Sequence, residues 1–350
     1  MRSSVYNRDL DLSDSLMKAT IAITMGDPCG IGPEVIVKAL SDHTLYNVCR
    51  PFVIGHAGWM EQTAARFAPA LSCRPITRRS DARFQAGVLE VLDIGGAEMT
   101  GVRHGDPRAA TAAFSALTHA TDMALSGEID GITTAPIHKA QMKQVGFPAP
   151  GHTEFLAHRA GVTSFGMMMV GGGLKITLAT IHLSLKEAAR IQADAVLSAI
   201  RLTHRAMGSD FGMKAAHIAV AALNPHGGEE GLFGDEEQRE IAPAVRKAQS
   251  EGITASGPYP ADTLFYHLKR GRFDAAVALY HDQALIPIKL LAFGDAVNVT
   301  LGLPFVRTSV DHGTAYDIAG RGLADEGSLK AALLLAAQMA AHRKREVVQT

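Results

Sequence analysis

Short apolar runs rich in Val, Ile, Thr and Ala recur along this chain, and stretches of helical periodicity stand between them. The runs are IAITM from Ile21, PFVIG, GVLEVLDI, DGITTAP, LKITLAT, HIAVAAL, DAAVALY and AVNVTLG. They lack the polar alternation of a strand with one face in water, so they fit strands covered on both faces. The helical stretches include PEVIVKAL, with Pro33 in its first turn, and the Ala-rich segment from Arg108 to Ser126, ended by Gly127. A capping box at Ser184 and Glu187 predicts a helix running to about Met207. Asp235 is placed to cap another that ends near Gly252, and Ser328 a last one from Leu329 to His342. Strand and helix alternating throughout implies an α/β protein with a largely parallel sheet.

Such a sheet keeps its chemistry at the carboxyl ends of its strands. Three histidines stand at such ends: His182 after LKITLAT, His226 after HIAVAAL, and His281 after DAAVALY. A single histidine there is more often packed or solvated. Three in the same context make a three-imidazole metal site with open positions, the catalytic pattern. Neutral imidazoles favour a borderline ion such as Zn²⁺, with Co²⁺, Mn²⁺ or Mg²⁺ by exchange.

At 350 residues the chain exceeds one ordinary domain, yet it has neither an internal repeat nor a low-complexity linker. Two domains that trade segments across a cleft fit this. Basic and acidic residues balance at 34 against 35, which argues against a nucleic-acid partner. Cys29, Cys49 and Cys73 are isolated, as suits a reducing compartment. Cys29 reads as a small loop residue, since no base partners it. The polar first residues hold no signal peptide, and no run is long enough to span a membrane, so a cytoplasmic enzyme is expected. Residues 1–20 read as a disordered lead-in, with Met17 an alternative start.

Four further segments carry candidate groups. The loop Thr24 to Glu34 has the strand–glycine–helix outline of a phosphate-binding turn but matches no nucleotide fingerprint. Asp27 and Glu34 there serve either a cleft or the turn itself. His138, Lys139, His152, Thr153 and Glu154 fall in polar loops; His152-Thr153 opening a helix suits a phosphate or carboxylate. Glu154 reads equally as a capping residue. Lys289, Asn298 and Arg307 supply two cations and an amide, an inventory for a phosphorylated small molecule, although each cation alone more often makes a surface ion pair. Asp262 stands between the second and third histidines, as a proton acceptor, a partner to a ligand imidazole, or a helix cap. A glycine-punctuated loop runs from Asp311 to Gly322.

Together the segments TMGDPCGIGPE, PGHTEFLA, LNPHGGEEGLFGDEE, GPYPADTLF, HDQALIPIK and VNVTLGLPFVRTSVDHGTAYDIAGRG resemble the 4-hydroxythreonine-4-phosphate dehydrogenase (PdxA) family of vitamin B6 synthesis. The likeness runs from about Ile21 to Ser328. The late loop is also similar to the nucleotide-lining segment of isopropylmalate dehydrogenases. The resemblance implies an isocitrate/isopropylmalate dehydrogenase-like fold, two α/β domains flanking a central cleft. The expected division is 21–137 plus 299–350 for one domain and 138–298 for the other, which carries a dimer interface.

By the same resemblance the metal ligands are His182, His226 and His281, and the substrate contacts are His152, Thr153, Lys289, Asn298 and Arg307. The nucleotide, NAD or NADP, falls on His312, Gly313, Asp317 and Gly320. Asp262 and Lys289 are the catalytic candidates. The family's homodimer completes its metal site across the interface, so His281, Lys289, Asn298 and Arg307 are expected to reach a partner's cleft. Cys29 and Gly227 stand where the family more often has Ala, and neither removes a functional group.

The implied reaction is oxidation of the C3 hydroxyl of 4-phosphooxy-L-threonine, followed by decarboxylation to 3-amino-2-oxopropyl phosphate for pyridoxal 5′-phosphate biosynthesis. Alternatives are a dehydrogenase for 4-phospho-D-threonate or 4-phospho-D-erythronate, one for a terephthalate cis-dihydrodiol, or a non-redox phosphate-ester binding or acyltransfer protein. The Lys289, Asn298 and Arg307 set argues against the unphosphorylated diol.

Overall fold

A computed structural model describes residues 18–96 and 98–349. The expected lead-in therefore lies, up to residue 17, outside the described residues; from Ala19 the chain is already strand. Among the described residues the strands are, in chain order, β1 Ala19–Thr24, β2 Cys49–Gly55, β3 Ser72–Ile76, β4 Val88–Asp93, β5 Gly131–Thr134, β6 Gly166–Gly171, β7 Leu174–Leu178, β8 Ile218–Ala221, β9 Ala255–Tyr259, β10 Ala275–Ala278, β11 Val297–Leu301 and β12 Val306–Val310. No helix among them is long and apolar enough to cross a membrane.

The chain forms two compact units. The first comprises described residues 18–162 with 303–341, the second 163–302 with 342–349. The expected boundaries at 137/138 and 298/299 thus move. Residues 138–162 stay with the first unit because Phe147 and Phe155 pack on Phe114 of the helix Pro107–Leu125, with centroids 5.2 and 5.7 Å away. β11 belongs to the second unit through its full register against β6, Val297 opposite Val170 to Leu301 opposite Gly166. The last helix, Gly327–Gln349, ends there as well, and Arg343 Nε donates to Asp210 Oδ1 at 2.6 Å.

The first unit holds strands in the order β3-β4-β2-β1-β5-β12, every pair parallel. Ile21, Ile23, Phe52, Ile54, Leu89 and Ile132 are fully buried, as strands covered on both faces require. The helix Gly32–Leu40 follows β1 with Pro33 in its first turn, and Pro107–Leu125 is capped by Asp106, which accepts from Arg108 N. Both agree with the sequence reading, as does the stop at Gly127, at φ +76°.

The second unit runs β11-β6-β7-β10-β8-β9. β7, β10, β8 and β9 pair in parallel, whereas β6 is antiparallel to both neighbours. Gly172 and Gly173, at φ +57° and +83°, make the tight turn from β6 to β7, a conformation closed to most other residues. The sequence reading passed over β6, because three consecutive methionines carry no strand propensity, and over β3, β9 and β12, which are short or polar. The capping box is real: Glu187 N donates to Ser184 Oγ and Ser184 N to Glu187 Oε2. Its helix stops at Ala188, and a new one spans Ala193–Ser209. The break is held by Glu240, whose carboxylate accepts from Ala193 N at 3.0 Å and so satisfies a helix-start donor.

Candidate active site

The histidine pattern acquires geometry in the second unit. β7, β10 and β8 are consecutive neighbours running the same way, so the loops bearing His182, His281 and His226 leave one sheet edge side by side. His182 and His281 come together, with ring centroids 6.0 Å apart. Two imidazoles on one ion, each with its centroid roughly 3 Å from the metal, span such a distance. Asp282 Oδ1 accepts from His281 Nδ1 at 2.7 Å, which leaves Nε2 as the ligand atom. His226 is not gathered with them: among the described residues no three His, Cys, Asp or Glu side chains form a cage. Its ring lies 6.3 Å from Phe233. The donors suit a divalent ion; a third ligand must come from movement of the His226 loop or from outside this chain.

That loop is unusual. His226, Gly227, Gly228, Glu229 and Glu230 all have positive φ, between +44° and +83°. A left-handed conformation costs about 1–2 kcal/mol per non-glycine residue. The buried carboxylate of Glu237 braces it, accepting from Leu223 N at 2.8 Å, Asn224 N at 2.7 Å and Asn224 Nδ2 at 2.9 Å. Nothing in the local pattern signalled this brace.

The first unit builds an anion corner. Arg307 leaves β12 fully buried, with Nη2 donating to Thr134 Oγ1 at 2.8 Å. Burial pushes its pKa down to about 10 against the opposing charge of Glu154, so it remains a cation at neutral pH. His152 opens the helix His152–Arg159 after an extended Gly151 that offers no side-chain cap. Its Nε2 is buried and has no hydrogen-bond partner. Burial first, then the charges of Arg307 and Lys139, hold His152 well below the usual imidazole range, so it is neutral. A neutral imidazole, a guanidinium and helix-start N–H groups form a preorganised receptor for phosphate. Arg307, expected among residues reaching a partner's cleft, instead acts on His152 of its own chain. Lys139, which the sequence placed only in a polar loop, lies beside Gly151, where an added Cβ would stand 3.7 Å from its Nζ.

Lys289 and Asn298 lie in the second unit. Lys289 sits in the helix His281–Ala292, its ammonium 5.3 Å from the Phe293 ring centroid. Asn298 is on β11 with a buried, unpartnered Oδ1. Asp262 stands exposed in the first turn of the helix Ala261–Lys269, where its charge complements the helix dipole. Among the described residues its carboxylate has no hydrogen bond or ion pair.

The two glycine loops, separate in sequence, pack on each other. Ile31 N donates to Thr314 O at 2.9 Å, and a Cβ on Gly30 would meet that oxygen at 2.9 Å. Tyr316 donates to Asp27 Oδ2 at 2.5 Å, and Cys29 N to Asp27 Oδ1. The Tyr316 ring is stacked 3.9 Å from His104. Glu34 is no cleft group: its buried carboxylate binds Lys38, Gly322 N and Ala324 N. Burial pushes the Cys29 thiol up to about 12, with Asp27 and Asp106 adding to it, so it is no nucleophile.

A pocket of about 510 Å³ opens beside these loops, lined by Cys29, Gly30, Trp59, Arg66, Arg103 and Gly320 among others. Of the four expected nucleotide residues only Gly320 lines it. His312 Nδ1 donates to Gly313 O, and Asp317 and Gly313 are exposed. Trp59, Arg66, Arg103, His104 and Tyr316 were missed, because no motif marks them.

Fold and site define an α/β oxidoreductase with separate imidazole and anion-binding groups. The model of the family "Pyridoxal phosphate biosynthetic protein PdxA" matches residues 47–336. A 4-hydroxythreonine-4-phosphate dehydrogenase of Desulforapulum autotrophicum is 46% identical over 326 residues, 92% of this chain and 96% of the relative. A D-threonate 4-phosphate dehydrogenase of Cupriavidus necator is 43% identical over 327 residues, 92% of this chain and 98% of that one. The crystal structure of a 4-hydroxythreonine-4-phosphate dehydrogenase from Klebsiella pneumoniae superposes with TM-score 0.86 at 39% identity, covering 92% of this chain and all of the other. The chain belongs to the PdxA family and is a dehydrogenase.

Proposed function

We propose that this dehydrogenase oxidises the C3 hydroxyl of 4-phosphooxy-L-threonine with NAD or NADP, the keto acid then losing CO₂ to give 3-amino-2-oxopropyl phosphate. The observation that carries the reading is the buried pair Arg307 and His152, with an open imidazole nitrogen, in a chain so similar to relatives of that name.

In this reading His152 donates its Nε2 hydrogen to a phosphate oxygen, and Arg307 and the Thr153 hydroxyl add further donors. Lys289 and Asn298 complete the grip, which aligns C3 for hydride loss. His182, His226 and His281 would hold a divalent ion, best Zn²⁺, which supplies polarisation of the hydroxyl when bound. Asp282 holds His281 in the ligating tautomer. Asp262 takes the hydroxyl proton, with Lys289 the second candidate; the exposure of Asp262 lets it pass that proton to solvent. The nucleotide accepts the hydride from the pocket beside the glycine loops, His312, Gly313, Asp317 and Gly320 shaping its late-loop wall.

A homodimer that shares the metal site is part of the same proposal. Its support is the second unit's exposed apolar surface: Leu290 is 82% exposed, Phe293 79% and Ile286 65%, all in or beside the helix that begins at His281. Singly exposed apolar residues are ordinary, but a cluster marks an interface.

The second reading, 4-phospho-D-threonate as substrate, is favoured by the Cupriavidus relative. A substrate panel decides: 4-phosphooxy-L-threonine, 4-phospho-D-threonate, 4-phospho-D-erythronate and the terephthalate diol, each with NAD⁺ and NADP⁺. The proposal requires the highest kcat/KM for the first. Preferred turnover of the threonate would replace it, and absence of nucleotide reduction with every substrate would point to a non-redox role.

A further inference from the structure

One face of the helix Ala57–Phe67 lines the pocket in the first unit: Trp59, Gln62, Thr63 and Arg66 recur at helical spacing. Arg103 and His104 line it from the loop before Pro107, and Cys29 and Gly30 from the first glycine loop. Arg66 stands 5.0 Å from the Phe67 ring centroid, and a Cβ on Gly320 would lie 3.7 Å from its Nη1. Among the described residues neither Arg66 nor Arg103 makes a salt bridge, and both are exposed to the pocket's solvent. The one carboxylate in the lining, Glu34, is buried and already bound by Lys38, Gly322 N and Ala324 N. The pocket therefore combines an indole face, two uncompensated guanidiniums and no available carboxylate.

That inventory discriminates between the two nucleotides. A site for NAD reads the ribose 2′-hydroxyl with a free carboxylate, whereas one for NADP meets the 2′-phosphate with arginine. A free carboxylate would repel the extra phosphate; this pocket lacks one and offers the cations instead. We propose that Arg66 and Arg103 bind the 2′-phosphate of NADP and make this enzyme selective for NADP over NAD. The proposal rests on the reading of the pocket as the nucleotide site, and goes beyond it by naming the cofactor and the two selecting residues.

Trp59 is the chain's single tryptophan, so its fluorescence reports directly on this pocket. The holoenzyme is titrated with NADP⁺, NAD⁺, 2′,5′-ADP and 5′-AMP. The proposal requires 2′,5′-ADP to bind at least about tenfold more tightly than 5′-AMP, as expected for one charge-assisted phosphate contact. Arg66→Gln and Arg103→Gln should each remove most of that margin while leaving 5′-AMP affinity unchanged. They should also lower kcat/KM with NADP⁺ but not with NAD⁺. Equal affinity for 2′,5′-ADP and 5′-AMP would overturn the selectivity while leaving the pocket as the nucleotide site. A Trp59 emission that answers to none of the four, in enzyme that still turns over, would overturn the pocket reading as well.

Discussion

Replacing Arg307 by lysine tests the phosphate corner most directly. The guanidinium is 2% exposed and one arm is committed to Thr134, so the other edge of the fork is the part that can meet a ligand. Lysine keeps the charge and much of the volume but loses the planar, two-pronged donor. A hydrogen bond to a charged partner contributes about 1.5–3 kcal/mol. Loss of one such bond corresponds to roughly a 10- to 150-fold fall in kcat/KM. Because the phosphate is gripped equally before and during hydride loss, the fall should appear chiefly as a higher KM. The assay is initial-rate kinetics on 4-phosphooxy-L-threonine, with inorganic phosphate as competitive inhibitor; its inhibition constant should rise with KM. Thermal unfolding of the variant shows whether the site has survived. A folded Arg307→Lys enzyme with unchanged KM and unchanged phosphate inhibition would refute the assignment of this corner to phosphate.

Other consequences follow from the same contacts. His152 is held well below 6.5 in the folded chain, so the unfolded chain takes up its proton first as pH falls. This residue therefore withdraws stability as pH drops below about 6.5, and His152→Gln should flatten that part of a Tm-against-pH curve; an unaltered curve counts against a buried neutral imidazole. Tyr316→Phe leaves the buried Asp27 carboxylate one donor short, a loss of about 1–3 kcal/mol in unfolding free energy, and should weaken nucleotide binding through the late loop. Thorough chelation should abolish turnover, and Zn²⁺, Co²⁺ or Mn²⁺ should restore it; near-normal activity without metal would remove His182, His226 and His281 from the mechanism. Leu290→Asp combined with Ile286→Asp should convert a dimer to monomers in light scattering and remove activity with it, whereas a monomeric wild type would end the shared-site proposal.

Much of this protein is legible in its sequence because its information is local. Apolar runs without alternation gave a parallel α/β fold, and Pro33, Gly127 and the Ser184–Glu187 box marked helix ends that are real. The histidines after β7, β8 and β10 could be picked out one by one, since a strand end needs only its neighbours to be recognised. Their adjacency could not, because it depends on the sheet order β7-β10-β8, which the chain order does not contain. Nor could the grouping of residues 138–162 with the first unit, which rests on three phenylalanine rings far apart in sequence. Tertiary structure alone made Glu34 a clamp for the late loop, tied Tyr316 to Asp27, braced the His226 turn with Glu237 and stacked Trp59 and two arginines around one pocket. The physical reason is the same in each case. A residue's type fixes which bonds it can make, but burial and the partner delivered by a distant segment decide which one it makes.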